Sequence, residues 1–423
     1  MIRPEAILDA LRELLASRGA STCRAQLAVR ATEALLARAV TVHDDGTVFV
    51  TTGDIPAMWL RGSAAQVRPL LALAADAPDV IELAYGVLRT QVGQVLLDPR
   101  ANAFNDGPTG ASQRRVFRNQ SPTVFERKYA VDSLCAPLTL AWNLRRATGS
   151  VEHVDANFRR AAAAIVSLWR AEQEHGSGGY RFRRRLARRR DSPSRGGRGA
   201  AVGRTGMTWS AFRPSDDACR YGFHVPANAL AAVGLARLAE LLETTGDQPA
   251  AREAAALAGD IRGGIEEFGR VDTTSHGTIY AYEVDGLGGE LLLDDANVPS
   301  LLSLPYLGYC ARTDPVYLAT RAWALSTANP CWSSGRAVSG VGSKHTRRGW
   351  VWPLAIAVEG LTAAEPHERE RAIRRIEATV QPGGLLHESV HPSAPRRFSR
   401  SWFSWADMLY VELVLASVGV HVA

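Results

Sequence analysis

Apolar residues return at helical intervals along almost the whole of this chain, and the intervals are broken by polar, tryptophan-rich loops rather than by strands. Ile7, Leu8, Leu11, Leu14 and Leu15 set the spacing at the start, and a second helix is expected from about 22 to 40 with Leu27, Leu35 and Leu36 on its apolar side. VHDDGTVFV then changes the period, and its Asp-Asp-Gly between β-prone runs predicts a small hairpin. Helical spacing resumes at about 63–75 and 79–97, then in 125–149, where Gly149 stops the run, and at 153–174. It continues near 226–245, 248–268, 314–327, after 340–352, at 365–380 and near 402–418. Short β-prone pieces stand at Tyr180–Phe182 and Thr278–Val284. Twelve or thirteen helices are expected, every second one introduced by a polar loop. That alternation predicts an all-α toroid of helical hairpins whose inner helices begin at one end, where the polar loops converge. An irregular all-α domain or a helical solenoid is the alternative, although no fixed-period repeat is present. Nothing resembles an interdomain linker, so residues 1–423 are read as a single domain.

Charge excludes less than its total suggests. The net +6 is local: between Arg181 and Arg204 the chain carries ten arginines and one aspartate, which leaves the remainder at −3. No aromatic residues are interleaved among the arginines of the loop from Arg183 to Arg204, so nucleic-acid binding is not expected. The five cysteines form no C-x-x-C pair, and neither DDACR nor DDANV has the further acid a magnesium site would need. No metal and no cofactor are therefore expected. The amphipathic N-terminus carries Glu5, Asp9 and Glu13, unlike a signal peptide, and no apolar run is read as long enough for a bilayer. A cytoplasmic protein without membrane contact is the expectation. Oligomeric state is not legible.

Chemistry concentrates in TGMTWSAFRPSDDACRYGFHVPAN, Thr205 to Asn228, which is too polar for core. Pro214 and Ser215 before Asp216 and Asp217 suit a helix start in which Ser215 caps and both acids lie in the first turn. One such aspartate would merely complement the helix dipole. Two adjacent acids beside Arg213 repel each other, which raises one pKa and would keep that acid protonated as a general acid. Cleavage of a glycoside requires a second carboxylate to activate water or attack carbon. Glu388 in GGLLHES is the candidate, flanked by His387 and Ser389. The other polar loops supply Asp54, Trp59, Arg61 and Ser63, then Glu126, Arg127 and Asp132. Thr208, Arg213, Asp295, Asn297, His345, Arg400 and Trp402 complete the set. A sugar needs such a mixture, because its C–H faces stack on rings while its hydroxyls need polar partners.

Taken in order, TTGDIPAMWLRGSAAQV, FERKYAVDSLCAP, the Thr205–Asn228 stretch, DDANVPSLLSLPYLGY, GVGSKHT with WVWPLA, and LLHES with RSWFSWADMLYVEL resemble the metal-independent exo-α-1,6-mannosidases of glycoside hydrolase family 125. The resemblance spans about residues 25 to 415. It implies an (α/α)6 barrel and inverting release of terminal α-1,6-linked mannose from an α-mannoside oligosaccharide. It places the acid at Asp216 or Asp217 and the base at Glu388. Four positions depart from the family pattern: Gly62 stands where WLRDS has Asp, Phe125 for Trp, Lys344 for Pro and Asp407 for Asn. Gly62 motivates a second reading, a mannoside-binding homologue with weakened or absent catalysis. The Arg-rich loop motivates a third, admission of a phosphorylated or acidic glycan.

Overall fold

The structure is a computed structural model and describes residues 2–112, 120–177, 179–184, 191–381 and 383–422. The polar run 114–119 and the part 185–190 of the Arg-rich loop fall outside the described residues. The chain is mostly helical, with 48% of residues in helix, and twelve helices of eight or more residues occur among the described residues.

Two kinds of helix alternate, and sequence pattern separates them. Gln248–Phe268 buries Ala251, Ala254, Leu257, Ala258, Ile261 and Ile265, one stripe at helical spacing, and leaves its charged side to solvent. Thr22–Arg38, Asp79–Leu97, Ala156–Glu172, Pro315–Ala324 and Pro366–Glu377 have the same partial burial. By contrast Ser404–Ser417 is buried from Ser404 through Ala416, and Pro353–Leu361 throughout. A helix apolar around its whole circumference must sit inside others. Val225–Thr244 belongs with these. By length and composition it also passes for a membrane span, contrary to the expectation that no run would, yet 83% of that window is buried within the protein.

The inner helices touch one another in sequence. Leu60–Val67 packs on Val131–Thr148, which packs on Val225–Thr244, which meets the short turn Leu304–Leu307. Pro353–Leu361 packs on Ser404–Ser417, and that helix returns to Leu60–Val67. A single large cluster of buried side chains runs from Ile7 to Ala416.

Short antiparallel ladders sit just before the inner helices and fix where they begin. Met58–Trp59, Ala103–Phe104 and Val124–Glu126 form one sheet, and Phe223–His224, Glu283–Val284 and Glu290–Leu291 another. The predicted hairpin is present as Val40–Val42 against Val48–Val50. The strand expected at Tyr180–Phe182 is not formed: Tyr180 is taken up by Tyr129, whose N–H donates to its hydroxyl at 3.0 Å, and among the described residues the backbone bond of this stretch is Phe182 N–H to Gly197 O. Gly149 ends its helix in the left-handed region, φ 73°, as its position predicted. The stretch from Thr205 is laid against an outer helix at Gly264, where a Cβ would stand 2.1 Å from Thr205 O.

The last inner helix anchors a loop through Asp407. Its fully buried carboxylate accepts Leu386 N–H at 2.8 Å and Trp402 Nε1–H at 2.7 Å. Burial nevertheless pushes the Asp407 pKa up to about 7. An unfolded aspartate titrates near about 3.9, so between about pH 4 and about pH 7 the folded chain keeps a proton that the unfolded chain has lost. Stability therefore falls as pH rises through that window. Asp407→Asn should flatten this decline, read as a smaller drop in Tm from about pH 4 to about pH 7 by calorimetry; an unchanged slope would contradict a titrating Asp407.

Candidate active site

The two adjacent aspartates do not open a helix. Phe212 and Ala218 form an isolated antiparallel bridge, and between them the chain closes on itself: Arg213 N–H donates to Asp217 O at 2.8 Å and Asp216 N–H to Arg213 O at 3.0 Å. The next helix starts at Val225, where His224 Nδ1 caps by accepting Ala227 N–H. Ser215 thus caps nothing, and the expected first turn is a tight loop. Asp216 sits at its tip with φ 66°. Aspartate tolerates that region better than most residues, at a strain on the order of 1–3 kcal/mol.

The strain separates the carboxylates. Asp216 lines an open cleft, where Oδ1 accepts Asn102 Nδ2–H at 3.1 Å and stands 3.9 Å from Lys128 Nζ. Lys128 is also 3.2 Å from Glu126, so its charge is shared. Asp217 is 3% exposed and its Oδ1 lies 3.1 Å from His345 Nδ1. Burial works against a charged His345, but the bond to Asp217 and the charges of both aspartates prevail and raise its pKa.

Two arginines hold the loop from either side. Arg61 Nη2 donates to Pro214 O at 2.8 Å while Nη1 pairs with fully buried Asp132. Burial raises the Asp132 pKa and Arg61 opposes the rise. Arg213 turns away from the cleft to Glu283, 2.5 Å distant. The other Glu283 oxygen accepts Arg220 N–H at 2.7 Å and Tyr221 N–H at 3.0 Å. Arg213 is therefore a brace, not the sugar contact expected of it.

Glu388 reaches the same cleft from a different loop. Ser399 Oγ–H donates to its Oε2 at 2.8 Å, and Arg400 Nη1 lies 3.5 Å from Oε1. Arg400 Nε donates to Asp54 at 2.8 Å and Nη2 to Thr52 O at 2.5 Å. His387 faces backward: Nδ1 is 3.0 Å from the carbonyls of Arg400 and Ser401, and its ring stacks on Phe398 at 3.8 Å. Two carbonyl partners require a proton on Nδ1. Burial lowers the His387 pKa, so the ring is a neutral donor that shapes the loop.

The cleft has a volume of about 150 Å3. Of the expected contacts, Trp59, Arg61, Asn297, His345 and Arg400 line it with Asp216 and Glu388. Asp295 lies directly behind, accepting Asn297 Nδ2–H at 2.8 Å and Ser343 Oγ–H at 2.7 Å, its pKa raised by burial. Exposed Asp54 supports the cleft through Arg400, and buried Asp132 and His387 support it from behind. Four others do not line the cleft, three of them with side-chain polar atoms already engaged. Ser63 Oγ donates to Leu60 O and accepts Gln91 Nε2–H. Arg127 grips Asp98. Thr208 is held through its backbone by Asn228. Trp402 serves Asp407 under the Arg38 guanidinium. Glu126 stays behind the wall, accepting from Asn102, Lys128 and Arg184. Thr52, Lys128, Arg184, Asp191, Ser215, Trp352, Phe403 and Trp405 also line the cleft. Asn102 and Glu283, which position Asp216 and Arg213, carried no local signal. Among the described residues no group of three histidine, cysteine or carboxylate side chains is placed to hold a metal ion.

Comparison with known proteins agrees with this geometry over nearly the whole chain. Residues 24–415 match the model of the metal-independent α-mannosidase family, glycoside hydrolase family 125. The meiotically up-regulated gene 157 protein of Schizosaccharomyces pombe is 36% identical over 392 residues, 88% of this chain and 77% of that protein. A Streptococcus pneumoniae structure, described as a metal-independent α-mannosidase in a non-productive complex with α-1,6-mannobiose, is 39% identical with a TM-score of 0.95 and full coverage of both chains. A bacterial glucoamylase complexed with acarbose, 14% identical, superimposes with a TM-score of 0.61 over 96% of this chain and 56% of that one, a likeness of fold alone. With its family pattern matched from residue 24 to residue 415, this chain belongs to glycoside hydrolase family 125, the metal-independent α-mannosidases.

Proposed function

We infer that this protein is a single-domain (α/α)6 barrel that removes terminal α-1,6-linked mannose with inversion at the anomeric carbon. The observation that carries the reading is that Asp216 and Glu388, from loops 172 positions apart, line one cleft. Inversion needs an acid at the glycosidic oxygen and a base that activates water. Asp216 is the acid, since it faces the cleft while Asp217 is buried against His345. Glu388 is the base, its carboxylate oriented by Ser399 and Arg400. A cleft of about 150 Å3 suits one sugar ring, in keeping with removal of a terminal residue. The ring of sequentially packed inner helices supports the barrel, and the bound α-1,6-mannobiose named for the pneumococcal relative supports the linkage.

With synthetic α-1,6-mannobiose and EDTA present, the wild type should release mannose whose first-formed anomer by NMR is inverted. Asp216→Asn and Glu388→Gln should each lower kcat by about 10²- to 10⁴-fold, and Asp217→Asn by less. A larger loss in Asp217→Asn would move the acid to that residue. Retained activity in Glu388→Gln would remove the mechanism.

Gly62 favours a second reading, a mannoside-binding homologue with weakened catalysis. The residue lines the cleft, and the hydroxyl of neighbouring Thr52 is buried without a hydrogen-bond partner among the described residues. A Cβ at position 62 would meet Thr52 Oγ1 at 3.4 Å and Trp59 Cβ at 3.5 Å, both ordinary contacts, so the backbone site accepts a side chain. Gly62→Asp should tighten mannobiose binding about ten- to a hundredfold through charge-assisted bonds of about 1.5–3 kcal/mol. Turnover only in Gly62→Asp would establish the second reading; equal turnover in both proteins would exclude it. The acidic-glycan reading has less support, because Arg184, the described loop arginine that lines the cleft, is already paired with Glu126 at 2.7 Å.

A further inference from the structure

Behind the Arg61–Asp132 pair lies a second cavity of about 270 Å3, larger than the cleft above it. Arg61 and Trp405 line both, so they form the partition. Its walls follow from helical spacing. Ala64, Ala65 and Arg68 recur at three and four residues from Arg61, and Ala136, Thr139, Leu140 and Asn143 recur likewise from Asp132. Each set is one helix face, and both turn toward the same space. Small and aliphatic side chains dominate, so the surface is mostly apolar.

Its polar groups divide into satisfied and unsatisfied. Arg61 Nη1 and Asp132 Oδ2 pair with each other at one end, while Arg61 Nε and Asp132 Oδ1 have no hydrogen-bond partner among the described residues. Arg68 pairs with Glu412 at 2.6 Å, and Glu412 also accepts the Tyr306 hydroxyl at 3.0 Å. Asn143 is 3% exposed and its amide makes no hydrogen bond among the described residues. Arg237 has no ion-pair partner among the described residues, and its guanidinium lies 5.8 Å from the Trp142 ring. Burial and the charge of Arg68 press its pKa down to about 10. Glu240 opposes only part of that shift; a part-buried guanidinium with no close ion-pair partner is costly, and an amide left unpaired in the same cavity adds to that cost.

We propose that this cavity binds a small organic carboxylate, with the carboxylate group on Arg237 and Asn143 and an apolar body along Ala64, Ala136, Leu140 and Leu409. The other anions and polar solutes fit less well. Inorganic phosphate would bring more acceptor oxygens than Arg237 and Asn143 can serve and would face an apolar wall. A sugar would bury hydroxyls against alanine and leucine. The carboxylate head belongs at the Arg237 end because Asp132 stands at the other.

Sodium butyrate is the probe, titrated calorimetrically at constant ionic strength against the wild-type chain. Saturable binding is expected, weaker by at least about tenfold in Arg237→Gln, the loss of a charge-assisted bond, and weaker also in Asn143→Leu. Circular dichroism establishes that each variant is folded, and if one fails to fold the other carries the comparison. Butyramide, which keeps the shape and lacks the charge, should bind at least about tenfold more weakly than butyrate. Butyrate should still bind when the cleft is saturated with α-1,6-mannobiose. Absence of saturable butyrate binding overturns the proposal, as does equal affinity in the folded variants. Displacement by mannobiose would place butyrate in the cleft, and tighter binding of phosphate than butyrate would rule out an apolar ligand body; either result overturns it.

Discussion

The hold of Arg61 on two partners ties the site together. One nitrogen pairs with Asp132 at the start of the helix Val131–Thr148, and another donates to Pro214 in the loop that carries the two aspartates. Three chain segments far apart in sequence meet at one guanidinium, and the Trp405 ring at 5.0 Å adds a fourth. A buried ion pair contributes little net stability, since desolvation offsets much of the attraction. Its value here is positional. Asp132 is fully buried, so its pairing fixes Arg61 and the Pro214 carbonyl is held at a set depth. Arg213 and Glu283 brace the same loop from outside through a second buried pair.

That bracing explains why two neighbouring carboxylates face different surroundings. In a helix the pair would project about 100° apart around one axis, both near solvent. The left-handed backbone at Asp216 instead sends one side chain into the cleft and the next into a buried contact with His345. The strain is maintained by the hydrogen bonds between Arg213, Asp216 and Asp217, by Arg61 on the Pro214 carbonyl and by the Arg213–Glu283 pair. Glu388 receives comparable support by other means: a neutral His387 fixes the backbone, and Arg400, itself clamped by Asp54, approaches the carboxylate.

Much of this was readable from residue order alone. The alternation of polar loops with plainer connections predicted inner and outer helices, and the structure adds the contrast between all-round burial in Ser404–Ser417 and one-stripe burial in Gln248–Phe268. The polar loops before inner helices marked where the site would form, and both carboxylate segments lay in them. The errors share a cause. Ser215 before two acids has the local signature of a helix start, yet backbone bonding within the turn and the ladder at Phe223–His224 postpone the helix to Val225. Arg127, Ser63 and Trp402 are polar residues in the right loops, and the side chain of each is consumed by a structural partner that sequence does not reveal; Thr208 is held by its backbone on Asn228. Asn102 was missed because nothing around it differs from an ordinary loop asparagine; only the fold brings it to Asp216.

What the sequence by itself determined was the helical architecture, the family and the loops that hold the chemistry. These rest on periodicity and on motifs, which are properties of neighbours along the chain. Which aspartate meets the cleft, which arginines bind and which brace, and the presence of a second cavity behind Arg61 were decided only by the tertiary structure. Those outcomes depend on partners tens or hundreds of residues away, on Glu283 for Arg213 and on Asp54 for Arg400. They also depend on a backbone conformation at Asp216 that is unfavourable locally and persists because distant side chains hold it.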